Sequence, residues 1–236
     1  MKSTKRSNRF ILFVIFAVVA AASGLGYYSN SLKLSDTSAN SATAAEAATS
    51  APSITPYDPS ALALGNDEIV LGKATAPVTI IEYSSLSCPH CAHFHADILP
   101  EIKKSLIDTG KAKLVIRPFP LNLPALRASM LVACAPQSDR AALLEKLYQQ
   151  QKDWAFTPAF LNKLKAIGAE NGVDAARFDA CLKDVAIESS VLNTRKTAMD
   201  KLHVESTPSF FIQDKPLSMK DGLSAETIIS AVSQAE

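Results

Sequence analysis

A charge excess of either sign is what this chain most plainly lacks: 24 Lys and Arg stand against 23 Asp and Glu, a formal net charge of +1. That balance leaves no electrostatic footprint for nucleic acid, and no nucleic-acid partner is expected. Cysteine is also scarce, at four residues in 236. Cys88, His90, Cys91, His93 and His95 crowd together, yet there is no second C-x-x-C and no H-x-x-x-H. One helix start cannot aim four side chains at a single point, so no metal site is expected. Residues 35–60, SDTSANSATAAEAATSAPSITPYDPS, have almost no large apolar side chains. Such a stretch cannot bury enough surface to order itself.

What is present is Cys88-Pro89-His90-Cys91. Residues 78–83, VTIIEY, form a short apolar, β-branched run typical of a buried strand, and SSLS follows as a turn. From Cys91 onward Phe94, Ile98, Ile102 and Leu106 recur every four residues, which predicts one face of an amphipathic helix. Pro100 inside that helix removes a backbone donor and predicts a kink. The cysteine pair therefore sits where a strand passes into a helix. At a helix start, unpaired backbone N–H groups and the positive end of the dipole favour thiolate over thiol. Pro89 suits the first helical position, and the ring of His90 offers a second stabiliser of negative sulfur. A stabilised Cys88 thiolate leaves readily, and a stabilised reduced form makes the disulfide a stronger oxidant. The chemistry this predicts is thiol–disulfide exchange, which needs no cofactor.

The N-terminus predicts export. Lys2, Lys5, Arg6 and Arg9 precede an uncharged run whose core is FILFVIFAVVA. Ala20 and Ala22 fit a cleavage site, while residues 10–28 would also span about 30 Å as a helix; removal and retention as an anchor both remain open. The basic flank keeps the N-terminus cytoplasmic and delivers the rest outside the cytosol, the periplasm in a Gram-negative cell. Residues 29–65 read as a disordered linker, either a spacer behind an anchor or filler behind a cleaved signal, with the folded part beginning near Asn66.

Beyond the first helix, Gly110 reads as its stop and KLVIRPF, residues 113–119, as the next strand. Arg117 is expected in a structural role and Trp154 in packing. From Pro124 to Leu202 the pattern is helix after helix, with Ser138 and Thr157 as candidate N-caps. Val185, Leu192, Met199 and Leu202 suggest the apolar face of a long helix. PSFFI, residues 208–212, and KPLSM, residues 215–219, read as two strands joined at Gln213 and Asp214. SAETIISAVSQ reads as a closing helix.

On VTIIEYSSLSCPHC, TPSFFI and the helical block between them, the chain resembles the DsbA-like branch of the thioredoxin superfamily over roughly residues 66–236. The resemblance implies an α/β thioredoxin fold, residues 66–121 and 204–236, with an inserted helical domain, residues 122–203. It implies that Cys88 is the accessible nucleophile and Cys91 its buried partner. Glu82 would be the acid buried beneath the site, relaying the proton of Cys91; alternatively it is a strand-edge carboxylate facing solvent. Pro208 matches the cis-proline loop, which would turn the backbone of Thr207 towards the cysteines for pairing with an extended substrate. Thr207 departs from the apolar β-branched residue of the best-known oxidases and is more typical of isomerases and reductases. The partners implied are unfolded exported proteins with free cysteines and a membrane redox partner that recharges the pair.

Three classes follow: an oxidase of exported proteins, a reductase or isomerase of the same fold, and a non-enzymatic peptide-binding or metal-carrying module. Cys134 and Cys181 belong to no C-x-x-C pair, and in an oxidising compartment two remaining cysteines predict a structural disulfide. Separately buried thiols or a second redox pair are the alternatives. His93 and His95 are expected to be exposed beside the site, and His203 to be a surface or capping residue.

Overall fold

The computed structural model describes residues 56–220 and 222–235. The expected export segment, its anchor alternative at residues 10–28 and most of the linker lie outside them. Among the described residues no helix is long and apolar enough to cross a membrane.

Five strands form one mixed sheet in the order β1-β3-β2-β4-β5. They are β1 (Ile69–Leu71), β2 (Val78–Ser84), β3 (Ala112–Pro118), β4 (Ser209–Ile212) and β5 (Lys215–Pro216). β2 and β3 are parallel, with Ile81 opposite Val115, and every other pairing is antiparallel. A parallel pair needs a crossover, and the helical stretch after Cys88 supplies it. That stretch runs through α1 (Pro89–His93), a π turn at Phe94–Ile98, α2 (Leu99–Ile102) and a second π turn at Lys103–Ile107. The expected kink at Pro100 takes the form of the first π turn, where the Leu99 N–H reaches back to the Phe94 carbonyl. Gly110, at φ 77°, ends the stretch in a conformation that a side chain disfavours.

Between β3 and β4 lie α3 (Leu123–Cys134), α4 (Arg140–Gln149), α5 (Gln151–Trp154), α6 (Phe160–Glu170), α7 (Ala175–Cys181) and α8 (Val185–Leu202). The closing helix is α9 (Ala225–Ser233), capped by the Ser224 hydroxyl on the Thr227 N–H. The strand period of two divides β2 between two cores. Ile80 joins Phe94, Ile102, Phe210 and Ile228 on one face. Ile81 and Tyr83 join Val115, Phe211 and Leu202 on the other.

The folded part begins before Asn66. Asp58 caps a 3₁₀ turn at Pro59–Leu62, Leu62 is buried, and the Tyr57 hydroxyl donates to the Asp214 carbonyl. Arg117 holds this segment down: its guanidinium donates to the carbonyls of Ala61, Leu62 and Ala63 and pairs with Glu68 at 2.6 Å. A buried cation with five donors turns a poor core former into an ordered wrap.

The second strand of the C-terminal hairpin is shorter than KPLSM predicts, pairing only at Lys215 and Pro216. On α8 the apolar face matches the predicted one only at Leu202. Val185, Leu192 and Met199 are exposed, whereas Val191, Ala198 and Leu202 are buried. Ser138 caps no helix, since α4 starts after Asp139. Thr157 accepts from the Ala159 N–H one step ahead of α6.

Candidate active site

Cys88 ends the turn after β2 and precedes Pro89, the first residue of α1. Both cysteines are free thiols, and both are buried: Cys88 exposes 6% of its surface and Cys91 none, 0%. The nucleophile expected to be accessible is thus nearly buried, with only a small part of the residue exposed. The Thr207–Pro208 bond is cis, and the Cys88 thiol donates to the Thr207 carbonyl at 3.3 Å. Beside it lies a cleft of about 310 Å³ lined by His90, Ile98, Thr207, Pro208, Met219 and Leu223.

The two sulfurs are held in opposite states. A hydrogen bond from the Cys91 thiol lowers Cys88 to about 5 against the opposing effect of burial, helped by the Thr207 hydroxyl and the backbone N–H groups of Cys91 and His90. The Thr207 hydroxyl oxygen is buried and unpartnered while Cys88 is protonated, which leaves it for the ionised sulfur. His90 acts here through its backbone N–H, and its exposed ring is not among the groups that lower Cys88. Cys91 is pushed far above the ordinary thiol range by burial first, then by its hydrogen bond to Cys88 and the charge of Glu82. Opposed shifts of this kind separate a nucleophile from its resolving partner.

Glu82 projects from β2 into the core beneath the pair, fully buried, and is not a strand-edge carboxylate. Its partner is a residue expected on the surface. His95 is buried, its Nε2 lies 3.1 Å from Glu82 Oε2, and its ring stacks on Tyr148 at 4.1 Å. The π turn at Phe94–Ile98 carries His95 on the same side as Cys91, four residues earlier. His93 is exposed as expected and pairs with Asp97 at 2.6 Å. His203 closes α8 at φ 55°, as a capping residue does.

Three further residues come from the sheet and the helical block. The Ser84 and Tyr148 hydroxyls meet at 2.6 Å, and the Ser84 side chain works against the burial of Cys91 by lowering its thiol. Gln151, buried in α5, donates through Nε2 to the carbonyls of Leu86 and Cys88 at 2.8 and 3.0 Å. Trp154, likewise buried, donates to the Leu147 carbonyl and packs the helix that presents Gln151. Away from the site, Cys134 at the end of α3 and Cys181 at the end of α7 form a disulfide, their Cα atoms 6.1 Å apart.

A family model described as Thioredoxin matches residues 65–231. The chain belongs to the thioredoxin family. Within it the chain is DsbA-like: the crystal structure of Wolbachia pipientis α-DsbA1 superposes with a TM-score of 0.66 at 29% identity, covering 75% of this chain and 94% of that one. A Rickettsia typhi chain provisionally named a protein-disulfide oxidoreductase is 33% identical over 151 residues, 63% of this chain and 56% of its own length. Disulfide bond formation protein D of Bacillus subtilis is 29% identical over 161 residues, 62% of this chain and 68% of its own length. The chain thus spans little more than half of the Rickettsia relative. Both the thioredoxin fold and the inserted helical block accord with the sequence resemblance.

Proposed function

We propose that this chain is a thiol:disulfide oxidoreductase that works as an oxidase, placing disulfides in exported proteins through Cys88 and Cys91. The observation that carries the reading is the asymmetry of the two sulfurs, Cys88 near 5 and Cys91 far above the thiol range. At neutral pH the reduced pair rests as one thiolate and one thiol. That stabilised reduced form drives disulfide transfer outward.

A substrate thiolate attacks the Cys88 sulfur of the Cys88–Cys91 disulfide. Cys91 leaves and takes a proton, and a mixed disulfide links Cys88 to the substrate. A second substrate thiolate then attacks the substrate sulfur, and Cys88 leaves as the thiolate that its surroundings favour. Gln151 fixes the carbonyls of the active-site turn, so the sulfur meets its attacker without rearrangement. The Thr207 backbone and the adjoining cleft offer an extended polypeptide a strand-like partner and an apolar edge. The relatives' names support disulfide chemistry, and the predicted export segment supports a periplasmic setting with a membrane partner that reoxidises the pair.

Thr207 favours a second reading, a reductase or isomerase. In this site, however, its hydroxyl stabilises the Cys88 thiolate and so adds to the oxidising tendency. The test is catalysed oxidation of a reduced, unfolded secretory protein by the oxidised chain, set against reduction of a disulfide substrate by the reduced chain. Faster oxidation supports the proposal; a preference for reduction supports the second reading.

A further inference from the structure

The proposed exchange requires a proton to reach or leave Cys91, which has no exposed surface. Glu82 raises Cys91 through its charge and is itself tied to His95, whereas the side chain that acts on Cys91 in the opposite direction, lowering it as a hydrogen-bond partner of the sulfur, is that of Ser84. Ser84 in turn meets Tyr148 at 2.6 Å, and either hydroxyl serves as donor. Both residues also line a cleft of about 710 Å³, open to solvent, between the sheet and the helical block. Its wall is mixed, with Arg117, Ser190, Asn193 and Thr194 as polar members among apolar ones, and it is far larger than the space one water needs. Hydroxyls both give and accept hydrogen bonds, so a pair of them can pass a proton along.

We propose that Ser84 and Tyr148 form a two-hydroxyl relay that exchanges the proton of Cys91 with water in this second cleft, which shares no lining residue with the cleft at Thr207. Ser84 is the member that acts on the Cys91 sulfur, and Tyr148 is a positioning residue that acts through Ser84. When Cys91 closes on a mixed disulfide, its S–H proton passes to the Ser84 oxygen. The Ser84 proton passes to Tyr148, and the Tyr148 proton passes to water. The Cys91 sulfur bonds to Cys88 while the bond from Cys88 to the outgoing sulfur breaks, and that sulfur departs as a thiolate. In the reverse direction the same shifts deliver a proton to Cys91 as it leaves. The relay lets the proton move while the front of the site is covered by polypeptide.

This inference rests on the exchange chemistry proposed above, and one experiment separates the two. The reduced protein is mixed with excess glutathione disulfide, quenched with acid at intervals and resolved by intact mass. The first step, glutathionylation, reports attack by Cys88; the second, loss of glutathione to give the internal disulfide, reports closure by Cys91. Tyr148→Phe keeps the ring that stacks on His95 and removes only the hydroxyl. It is expected to leave the first step and the final equilibrium unchanged while slowing the second by ~10-fold or more, within the range of proton-transfer assistance. Ser84→Ala is expected to slow the second step similarly, and Ser84→Thr, which keeps a hydroxyl, to restore it. An unchanged second step in Tyr148→Phe, or a Thr variant as slow as the Ala variant, overturns the relay and leaves the exchange chemistry standing. Slowing of both steps with a shifted equilibrium overturns it too, by marking the hydroxyls as structural. Absence of both products in the unsubstituted protein overturns the exchange chemistry itself.

Discussion

Beneath the cysteine pair, Glu82 and His95 meet at 3.1 Å with both side chains withdrawn from solvent. A carboxylate in an apolar core is tolerated only with a partner, and removing one member leaves the other charge buried and alone. His95→Leu is therefore expected to destabilise the protein by roughly 3–5 kcal/mol. Combining it with Glu82→Gln should recover part of that loss, because no charge is then stranded. Urea denaturation of the two variants checks this; additive losses would contradict the pairing.

Thiolate absorbance of the reduced protein against pH should show Cys88 half-ionised at about 5. The largest lowering influence is the hydrogen bond from Cys91, so Cys91→Ala should move that titration upward. His90→Ala, which keeps the backbone N–H, should move it less. A larger shift from His90→Ala than from Cys91→Ala would return the dominant role to the imidazole.

The same depressed value sets how stability depends on pH. Cys88 ionises near 5 when folded and near the ordinary thiol value of about 8.5 when unfolded, so the unfolded reduced chain binds more protons between those limits. The resulting stability is fully present above about 8.5 and is lost as pH falls through 5. The oxidised protein has no such titration. The difference between the denaturation midpoints of reduced and oxidised protein should thus change steadily from pH 8 to pH 5, with the reduced form losing ground; parallel curves would contradict the assignment.

The Cys134–Cys181 bridge closes a loop of 47 residues between α3 and α7. On the chain-entropy account, replacing both by Ala should cost about 4 kcal/mol and leave exchange at Cys88 intact. Intact mass of the purified protein decides whether the bond is present, and thermal melts give its contribution.

Gln151 supplies the partners of two buried carbonyls in the active-site turn. Gln151→Ala should cost roughly 1–3 kcal/mol, the penalty of leaving such groups unpaired. It should also slow attack by Cys88 as the turn loosens, which alkylation kinetics measure.

Much of this site was legible in short stretches of chain. VTIIEY followed by CPHC places a strand, a turn and a helix in one line, and each depends on near neighbours. What was not legible depends on distant segments. His95 lies four residues after Cys91 and four before Leu99, on the face that the helix buries; that spacing was a signal, but a histidine among apolar residues is easily assigned to the surface. Tyr148 and Gln151 reach the site from the helical block across more than sixty positions of chain, and no local pattern marks them. On α8 the heptad spacing of Val185, Leu192 and Met199 outweighed Ala198, whose small side chain gives little signal though it fills the contact. The order of residues 57–65 has no local signal, because their anchor, Arg117, lies in a strand some fifty residues on.

The most direct test of the central claim is the equilibrium of the Cys88–Cys91 pair with glutathione buffers of graded ratio, reading the reduced fraction. The asymmetry of the two sulfurs predicts a potential above the cytosolic glutathione poise of roughly −220 to −260 mV, that of a disulfide donor. A potential at or below that poise would contradict it and make this chain one that takes disulfides away.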